Sequence, residues 1–276
     1  TVRGGAAFGK LWLDQRLTTE TGVRLQYSDI REGECFVEDT RVDIGPALSC
    51  ADQGGVIVRR DQQFRAVSFP TSILWDSQDN PLDPQEGFLA GFVVTPFVGT
   101  VSFTRVETTF TDRVFWGRRD RGTLAGRKRL GAIYGASGSD IPATERYFAG
   151  GGGSLRGYGF QEASPIDPIT GDILGGASLA EANVELRQHV SKSIELALFV
   201  DAGGAFENNT PDFDQVLTGA GLGIRYHTPI GPIRADVAVP LERRRIVGQD
   251  TDGDGVPNGS FEDASFQIYI ALGQPF

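Results

Sequence analysis

The chain has 276 residues and a formal net charge of −10, from 26 lysines and arginines against 36 acidic side chains. That balance argues against a phosphate-backbone binder, so no nucleic-acid partner is expected. The length suits one large all-β unit rich in glycine (37 residues), and no apolar run approaches the ~20 residues of a membrane-spanning helix. The sequence opens on Thr1 with no signal peptide and contains no methionine, so it reads as a processed product or a piece of something longer.

In chain order, residues 6–17 and 21–31 are predicted strands joined by a turn at Thr18-Thr19-Glu20. In the second, Val23, Leu25 and Tyr27 alternate with Arg24, Gln26 and Ser28, the period of a strand with one apolar and one polar face. Residues 32–62 read as a long polar loop holding Cys35 and Cys50. A single disulfide between them suits a non-cytosolic loop, and two free thiols are the alternative. A strand over 64–76 sets Phe69, Thr71, Ile73 and Trp75 on one face. The run from Asp79 to Pro84 is a turn cluster. Residues 87–97 and 100–111 form a hairpin across Val98-Gly99, and 123–134 form another strand.

Then comes Gly150-Gly151-Gly152-Gly153-Ser154-Leu155-Arg156-Gly157-Tyr158-Gly159-Phe160. So much glycine gives the backbone positive φ and close packing, at an entropic cost that ordinary surface loops seldom need. Downstream the alternation is cleaner. Residues 177–190 set Ala182, Val184 and Leu186 opposite Glu181, Asn183, Glu185 and Arg187. Residues 194–206 set Ile194, Leu196, Leu198 and Val200 opposite Glu195, Ala197, Phe199 and Asp201. Residues 217–228 set Leu222, Ile224 and Tyr226 opposite Gly221, Gly223, Arg225 and His227. Residues 233–240 follow, with Ile233, Ala235, Val237 and Val239 opposite Arg234, Asp236 and Ala238. The last strand, 264–276, sets Phe266, Ile268, Ile270 and Leu272 opposite Gln267, Tyr269 and Ala271, and the chain ends on Phe276.

This gives about eleven strands and no convincing helix. A soluble sandwich also alternates, but with shorter strands and water on its polar face. Here the strands are long, the polar faces carry both signs of charge, and connections are short at 18–20, 191–193 and 228–232, intermediate at 77–86 and long at 32–62, 135–176 and 241–263. That is the pattern of an antiparallel transmembrane β-barrel, apolar outside and polar inside. The short hairpin at 98–99 breaks the rule once. Single-chain bacterial barrels have even strand counts, so closure needs a twelfth strand, from residues 1–5 or from a partner.

The segment Ser154 to Phe160 resembles the arginine-glycine-aromatic signature of the outer-membrane insertase superfamily, which includes BamA, TamA and the two-partner secretion transporters. Asp79 to Gly87 resembles that family's aspartate, proline and glycine turn. Gly221 to Leu241 and the terminal Gly273-Gln274-Pro275-Phe276 resemble the TamA branch in particular. The resemblance covers nearly the whole chain. It implies a 16-stranded barrel preceded by periplasmic POTRA domains. This sequence carries no POTRA domain, and its first strand looks like the family's sixth, so residues 1–276 are expected to form one outer-membrane barrel domain.

The resemblance also implies that the long loop folds back into the lumen, with Leu155, Arg156, Gly157 and Tyr158 as its motif and carboxylates on the wall as partners. Glu185 and Asp201 match those partners. Strand phase supports this separately, since both fall on inward-facing positions of the two strands that follow the loop. A guanidinium fork suits carboxylates; the alternative is a solvated Arg156 in a flexible loop. The lateral seam is represented here by Phe266, Ile268, Ile270 and Phe276.

Asp250, Asp252 and Asp254, with Asn258 at the ninth position, resemble a calcium loop of the aspartate-rich type, though the EF-hand's twelfth-position glutamate is one place late at Glu262. An acidic solvated loop is the alternative, and no other cofactor is expected. The clusters Arg127-Lys128-Arg129 and Arg243-Arg244-Arg245 lie near strand ends, the first facing the lumen and the second meeting lipopolysaccharide phosphates, or both simply snorkelling. His189 and His227 fall near opposite strand termini, far from the cysteines, so neither a zinc site nor catalysis is expected.

The expected function is to assist insertion or translocation of other outer-membrane or autotransporter proteins through a lateral seam. The expected partners are outer-membrane lipid, unfolded clients and a periplasm-spanning protein reached through POTRA domains. A core BamA-like insertase and a passive porin are the alternatives.

Overall fold

A computed structural model describes residues 1–30, 62–80, 84–115, 122–167, 171–228, 231–247 and 260–273. Cys35, Cys50, the acidic positions Asp250, Asp252, Asp254 and Asn258, and the terminal Phe276 lie outside the described residues. The strands are β1 (Val2–Trp12), β2 (Leu17–Ile30), β3 (Gln62–Ser68), β4 (Thr71–Asp76), β5 (Gly87–Gly99), β6 (Phe103–Phe115), β7 (Gly122–Tyr134), β8 (Ser178–His189), β9 (Ile194–Phe206), β10 (Leu217–Thr228), β11 (Gly231–Pro240), β12 (Arg245–Val247), β13 (Ser260–Glu262) and β14 (Gln267–Leu272). Among the described residues the helical content is a single 3-10 turn, Phe213–Gln215.

Twelve of these strands form one antiparallel sheet in which sequence neighbours pair, from β1 at one end to β14 at the other. β3 and β4 both lie between β2 and β5, as two halves of one wall strand. The break falls at Phe69-Pro70, where proline has no N–H to give the ladder. The wall is therefore the predicted run of eleven consecutive positions, and no β1–β14 pairing occurs among the described residues.

The two faces are inverted relative to a soluble protein. Along β9, Leu198 is 54% and Val200 47% exposed, while Phe199 is 1% and Asp201 0% exposed. The same holds for exposed Val184, Ile224, Val237 and Ile270 against buried Glu185, Arg225 and Asp236. An apolar surface this extensive is the lipid face of an antiparallel β-barrel wall. The pattern also fixes the register, because a one-residue slip would turn the charged row outward.

The structure corrects the sequence reading in places. The first turn is Leu13 to Arg16, not Thr18-Thr19-Glu20. Those three pair with Leu11, Lys10 and Gly9 in the ladder, where β-branched threonine is well suited. Leu13, Asp14 and Gln15 take up the reversal at φ of 50°, 54° and 72°. Residues 2–5 belong to β1 itself and so supply no separate twelfth strand. β5 continues through Gly99, moving the tight turn to residues 100–102. The 241–263 connection holds an unforeseen two-stranded ribbon, β12 with β13. The last strand is described over only Gln267–Leu272, with Phe266 just before it.

Between β7 and β8 the chain leaves the wall and lies inside it. Among its described residues this segment pairs through isolated bridges, including Tyr147 with Gly176 and Ala149 with Glu162. Ile141, Tyr147, Leu155 and Tyr158 are buried in one apolar cluster with wall residues Ile133, Leu179 and Leu217 and with the ring group Phe64, Phe97 and Phe103. The core of the molecule thus lies between the loop and the inner wall.

Candidate functional site

Arg156 is the centre of the loop's contact with the wall, and it is 1% exposed. Its Nε donates to Asp201 Oδ2 at 2.7 Å and its Nη2 to Asp201 Oδ1 at 2.9 Å, a two-pronged match of fork to carboxylate. Its backbone N–H also donates to Asp201 Oδ2 at 3.1 Å. Nη1 donates to Glu185 Oε2 at 2.6 Å and lies 3.7 Å from Asp236 Oδ2. The guanidinium carbon sits 3.4 Å from the centroid of the Phe199 ring, which caps the planar face left free by the hydrogen bonds. Burial alone would lower the pKa of Arg156, but Asp201 and then Glu185 outweigh it and the net shift is upward, so the charge is secured. The structure brings together the three residues that the sequence placed here, Arg156, Glu185 and Asp201.

It also extends the group. Glu185 Oε1 accepts from Arg187 Nε at 2.8 Å and from Arg225 Nη2 at 3.0 Å. Arg225 Nη1 makes a short bond to Asp236, which also accepts from Arg234 Nη1 at 3.3 Å. Arg234 Nη2 returns to the loop at the Gly152 carbonyl, 3.0 Å away. The result is a buried network across β8, β9, β10 and β11, in which Glu185 and Asp236 are each shared by three arginines and Asp201 is held by Arg156. Phase alone had marked Arg187, Arg225, Arg234 and Asp236 as inward, but nothing in the sequence said that four strands converge on one loop residue.

Beside it, Arg127 donates to Asn183 Oδ1 at 2.9 Å and to the carbonyls of Gly153 and Ser154 at 2.8 and 3.2 Å. Asn183 donates to the Ser154 carbonyl at 2.7 Å, and Ser154 Oγ makes a short bond to Glu181. Arg129 bridges Glu181 and Glu107 at 2.9 and 3.1 Å. Arg127 and Arg129 therefore face inward rather than snorkelling, while Lys128 between them is exposed.

Two positions need glycine. Gly157 sits at φ +103°, and a Cβ there would be 2.9 Å from the Val239 carbonyl oxygen. On the wall side, a Cβ at Gly219 of β10 would lie 1.9 Å from the Arg156 carbonyl oxygen. The loop backbone thus rests directly on the strand backbone.

Tyr158 projects from the loop and donates to the carbonyls of Glu242 at 2.8 Å and Thr218 at 3.2 Å. Burial first, then the Asp263 charge, pushes its phenol pKa up, so it stays a donor. The sequence did not single out Tyr269 of β14. Its hydroxyl accepts from the Gly157 N–H at 3.1 Å and donates to the Tyr158 carbonyl at 2.7 Å. The last wall strand is thereby tied to the motif. The remaining seam positions Phe266, Ile268 and Ile270 are exposed on the outer face of this edge.

Arg244 departs from the lipopolysaccharide-facing role expected for its cluster. It turns inward, donating to Asp263 at 3.0 and 2.9 Å, to the Ser164 carbonyl at 3.2 Å and, by a short bond, to the Glu162 carbonyl. Fully buried Asp263 provides the reason, because a guanidinium with a desolvated partner gains more there than in water. The two histidines also differ from expectation. His189 and His227 lie at the same rim with ring centroids 5.3 Å apart. β8 and β10 run in the same direction, so their final residues meet.

An antiparallel barrel wall with a lipid-facing apolar surface and an arginine-anchored loop in its lumen defines the class of protein. The Omp85 superfamily domain matches residues 1–276, and the chain belongs to that superfamily. It is 35% identical over 151 residues to the outer membrane protein assembly factor BamA of Nitratidesulfovibrio vulgaris, covering 53% of this chain and 18% of that protein. It is 26% identical over 254 residues to a SAM50-like protein of Schizosaccharomyces pombe, covering 82% of this chain and 51% of that protein. The chain thus spans between about a fifth and about half of the length of these relatives. The crystal structure of Haemophilus ducreyi BamA lacking POTRA domains 1–3 superposes with a TM-score of 0.71 at 19% identity, covering 98% of this chain and 53% of that one, which supports the fold. The chain is an outer-membrane β-barrel domain of this superfamily.

Proposed function

We propose that this barrel serves as an outer-membrane insertase, helping other outer-membrane proteins into the bilayer through the edge of the sheet at β14. The observation that carries the reading is Tyr269. It sits in that edge strand and holds both the Gly157 N–H and the Tyr158 carbonyl of the buried loop. An edge strand offers unpaired N–H and C=O groups to an incoming strand. β14 is described over six residues, against twelve for β8 and thirteen for β9, so it has fewer ladder bonds to lose when the seam rearranges. The loop then acts as the fixed inner support against which the edge moves. This role needs no covalent chemistry and no bound cofactor. Relatives named as BamA support the general insertase reading, with unfolded outer-membrane proteins as clients and a periplasmic protein as partner. The narrower TamA-like reading rests on the resemblance of Gly221 to Leu241 to that branch.

The test is site-specific photocrosslinking in cells. A crosslinker at Ile268 or Ile270 is expected to capture nascent outer-membrane proteins, and one at Leu198 in mid-wall is not. Equal capture from all three positions, or none from β14, overturns the proposal. Complementation of strains depleted separately of BamA or TamA distinguishes the narrower readings.

A further inference from the structure

The chain has two histidines in 276 residues, and the fold places both beside one buried glutamate. His189 ends β8 directly opposite Glu195 of β9. His227 lies near the end of β10, with its backbone N–H on the Ser193 carbonyl at 2.9 Å. Its Nε2 is 2.9 Å from Glu195 Oε2. One potential ligand atom from each of the three side chains falls within 4.8 Å of the others.

The local chemistry is unusual for a plain hydrogen bond. Glu195 is fully buried, yet its Oε1 has no hydrogen-bond partner, and neither has the buried Nδ1 of His189. Buried polar atoms are nearly always satisfied, so such a pair calls for an explanation. The nearby cations do not provide one. Arg225 faces Glu195 across the ladder, but its terminal nitrogens go to Asp236, Glu185 and the Ile224 carbonyl. Arg187 gives its Nε to Glu185, and neither of its buried terminal nitrogens has a hydrogen-bond partner, Glu195 included. Among the described residues the one side-chain partner of Glu195 is His227.

We propose that His189, Glu195 and His227 form a binding site for a borderline transition-metal cation, zinc being the best match. Two imidazole nitrogens and a carboxylate suit zinc and disfavour calcium or magnesium, which prefer all-oxygen sets. At metal–ligand distances of about 2.0–2.1 Å a tetrahedral set has donors about 3.3 Å apart. The His227–Glu195 pair is already closer than that, and the two sides that involve His189 close by rotation of its side chain out of the stack with His227. Three protein ligands leave the fourth position for water or a donor from another molecule. The cation would tie three adjacent strands together at the rim of short turns, which faces the periplasm in outer-membrane barrels.

The test uses the whole chain folded in detergent micelles and stripped with chelator. Thiols are alkylated and calcium is in excess, so that neither the cysteines nor the acidic loop competes. Cobalt(II) is titrated while its visible d–d absorption is followed, and zinc is then added. One equivalent of cobalt, displaced by zinc, is expected. His189→Gln, His227→Gln and Glu195→Gln should each weaken binding by roughly tenfold or more. Heat-modifiable gel mobility reports whether each variant is folded. The wild-type titration stands alone if one is not: no zinc-displaceable cobalt spectrum overturns the site. Undiminished binding in folded His189→Gln and His227→Gln also overturns it.

Discussion

The wall has two kinds of strand, and β8 and β1 show the contrast. Both are antiparallel and follow the same period-two rule. In β8 the inward positions Glu181, Asn183, Glu185 and Arg187 are all buried and engaged. In β1 every residue is exposed, on both faces. Among the described residues its one long-range side-chain hydrogen bond is Arg3 to Glu145 at 2.6 Å, with the Arg3 side chain 43% exposed. The alternation is a property of each strand. What fills the lumen side is a property of where the loop docks. Two arginine–carboxylate pairs with almost the same bond lengths therefore differ in what they hold, because Arg156 is sealed under the loop with its partners while Arg3 reaches buried Glu145 from a half-exposed position.

Breaking the sealed pair tests this most severely. Arg156→Ala leaves Asp201 and Glu185 buried with a lost partner, a change that typically costs about 3–5 kcal/mol and toward the lower end where lumen water can enter. Residues 150–160 should become open to protease and insertase activity should fall, while the barrel still forms. Arg156→Lys should recover only part of the protection, since an ammonium cannot match both Asp201 oxygens and Glu185 together. Unchanged proteolysis in Arg156→Ala would contradict the sealed arrangement.

Gly219→Ala attacks the same contact from the wall. Its Cβ would meet the Arg156 carbonyl oxygen at 1.9 Å, so the loop must lift, at about 1–3 kcal/mol for overpacking. The protease sites should match those of Arg156→Ala with a slower rate, and a cleavage pattern confined to other loops would count against it. Tyr269→Phe removes a single hydroxyl that links the edge strand to the motif. About 1 kcal/mol is expected, read as faster amide exchange at Gly157 with the rest of the loop still protected. Loss of protection throughout the loop would mean that the edge, not Arg156, holds it. Arg3→Ala marks the other end of the scale. Its guanidinium is half-exposed and buried Glu145 keeps the Gln26 amide at 2.7 Å, so a loss of about 1 kcal/mol is expected, read as a small drop in the unfolding midpoint with loop proteolysis unchanged.

Much of this was legible in the sequence, and the reason is strict periodicity. A barrel strand reads apolar-polar one residue at a time, so eleven wall positions, the lipid face and the inward phases of Glu185 and Asp201 could be counted off the chain. Turns were less legible. Thr18 to Glu20 looks polar enough to reverse the chain, but the ladder to β1 continues through it, and three successive residues at positive φ take the turn instead. Local composition does not encode that choice; the register across two strands does.

The amino-acid sequence by itself determined the class of fold, the face that meets lipid and the loop that must approach a wall closely. Tertiary structure alone decided which groups meet. Tyr269 reaches the loop from the far end of the chain, Arg244 turns in because Asp263 is buried beneath it, and His189 and His227 meet because alternate strands of an antiparallel sheet end at one rim. Each contact depends on the curvature of the sheet and the path of the loop across it, which no strand carries in its own residues.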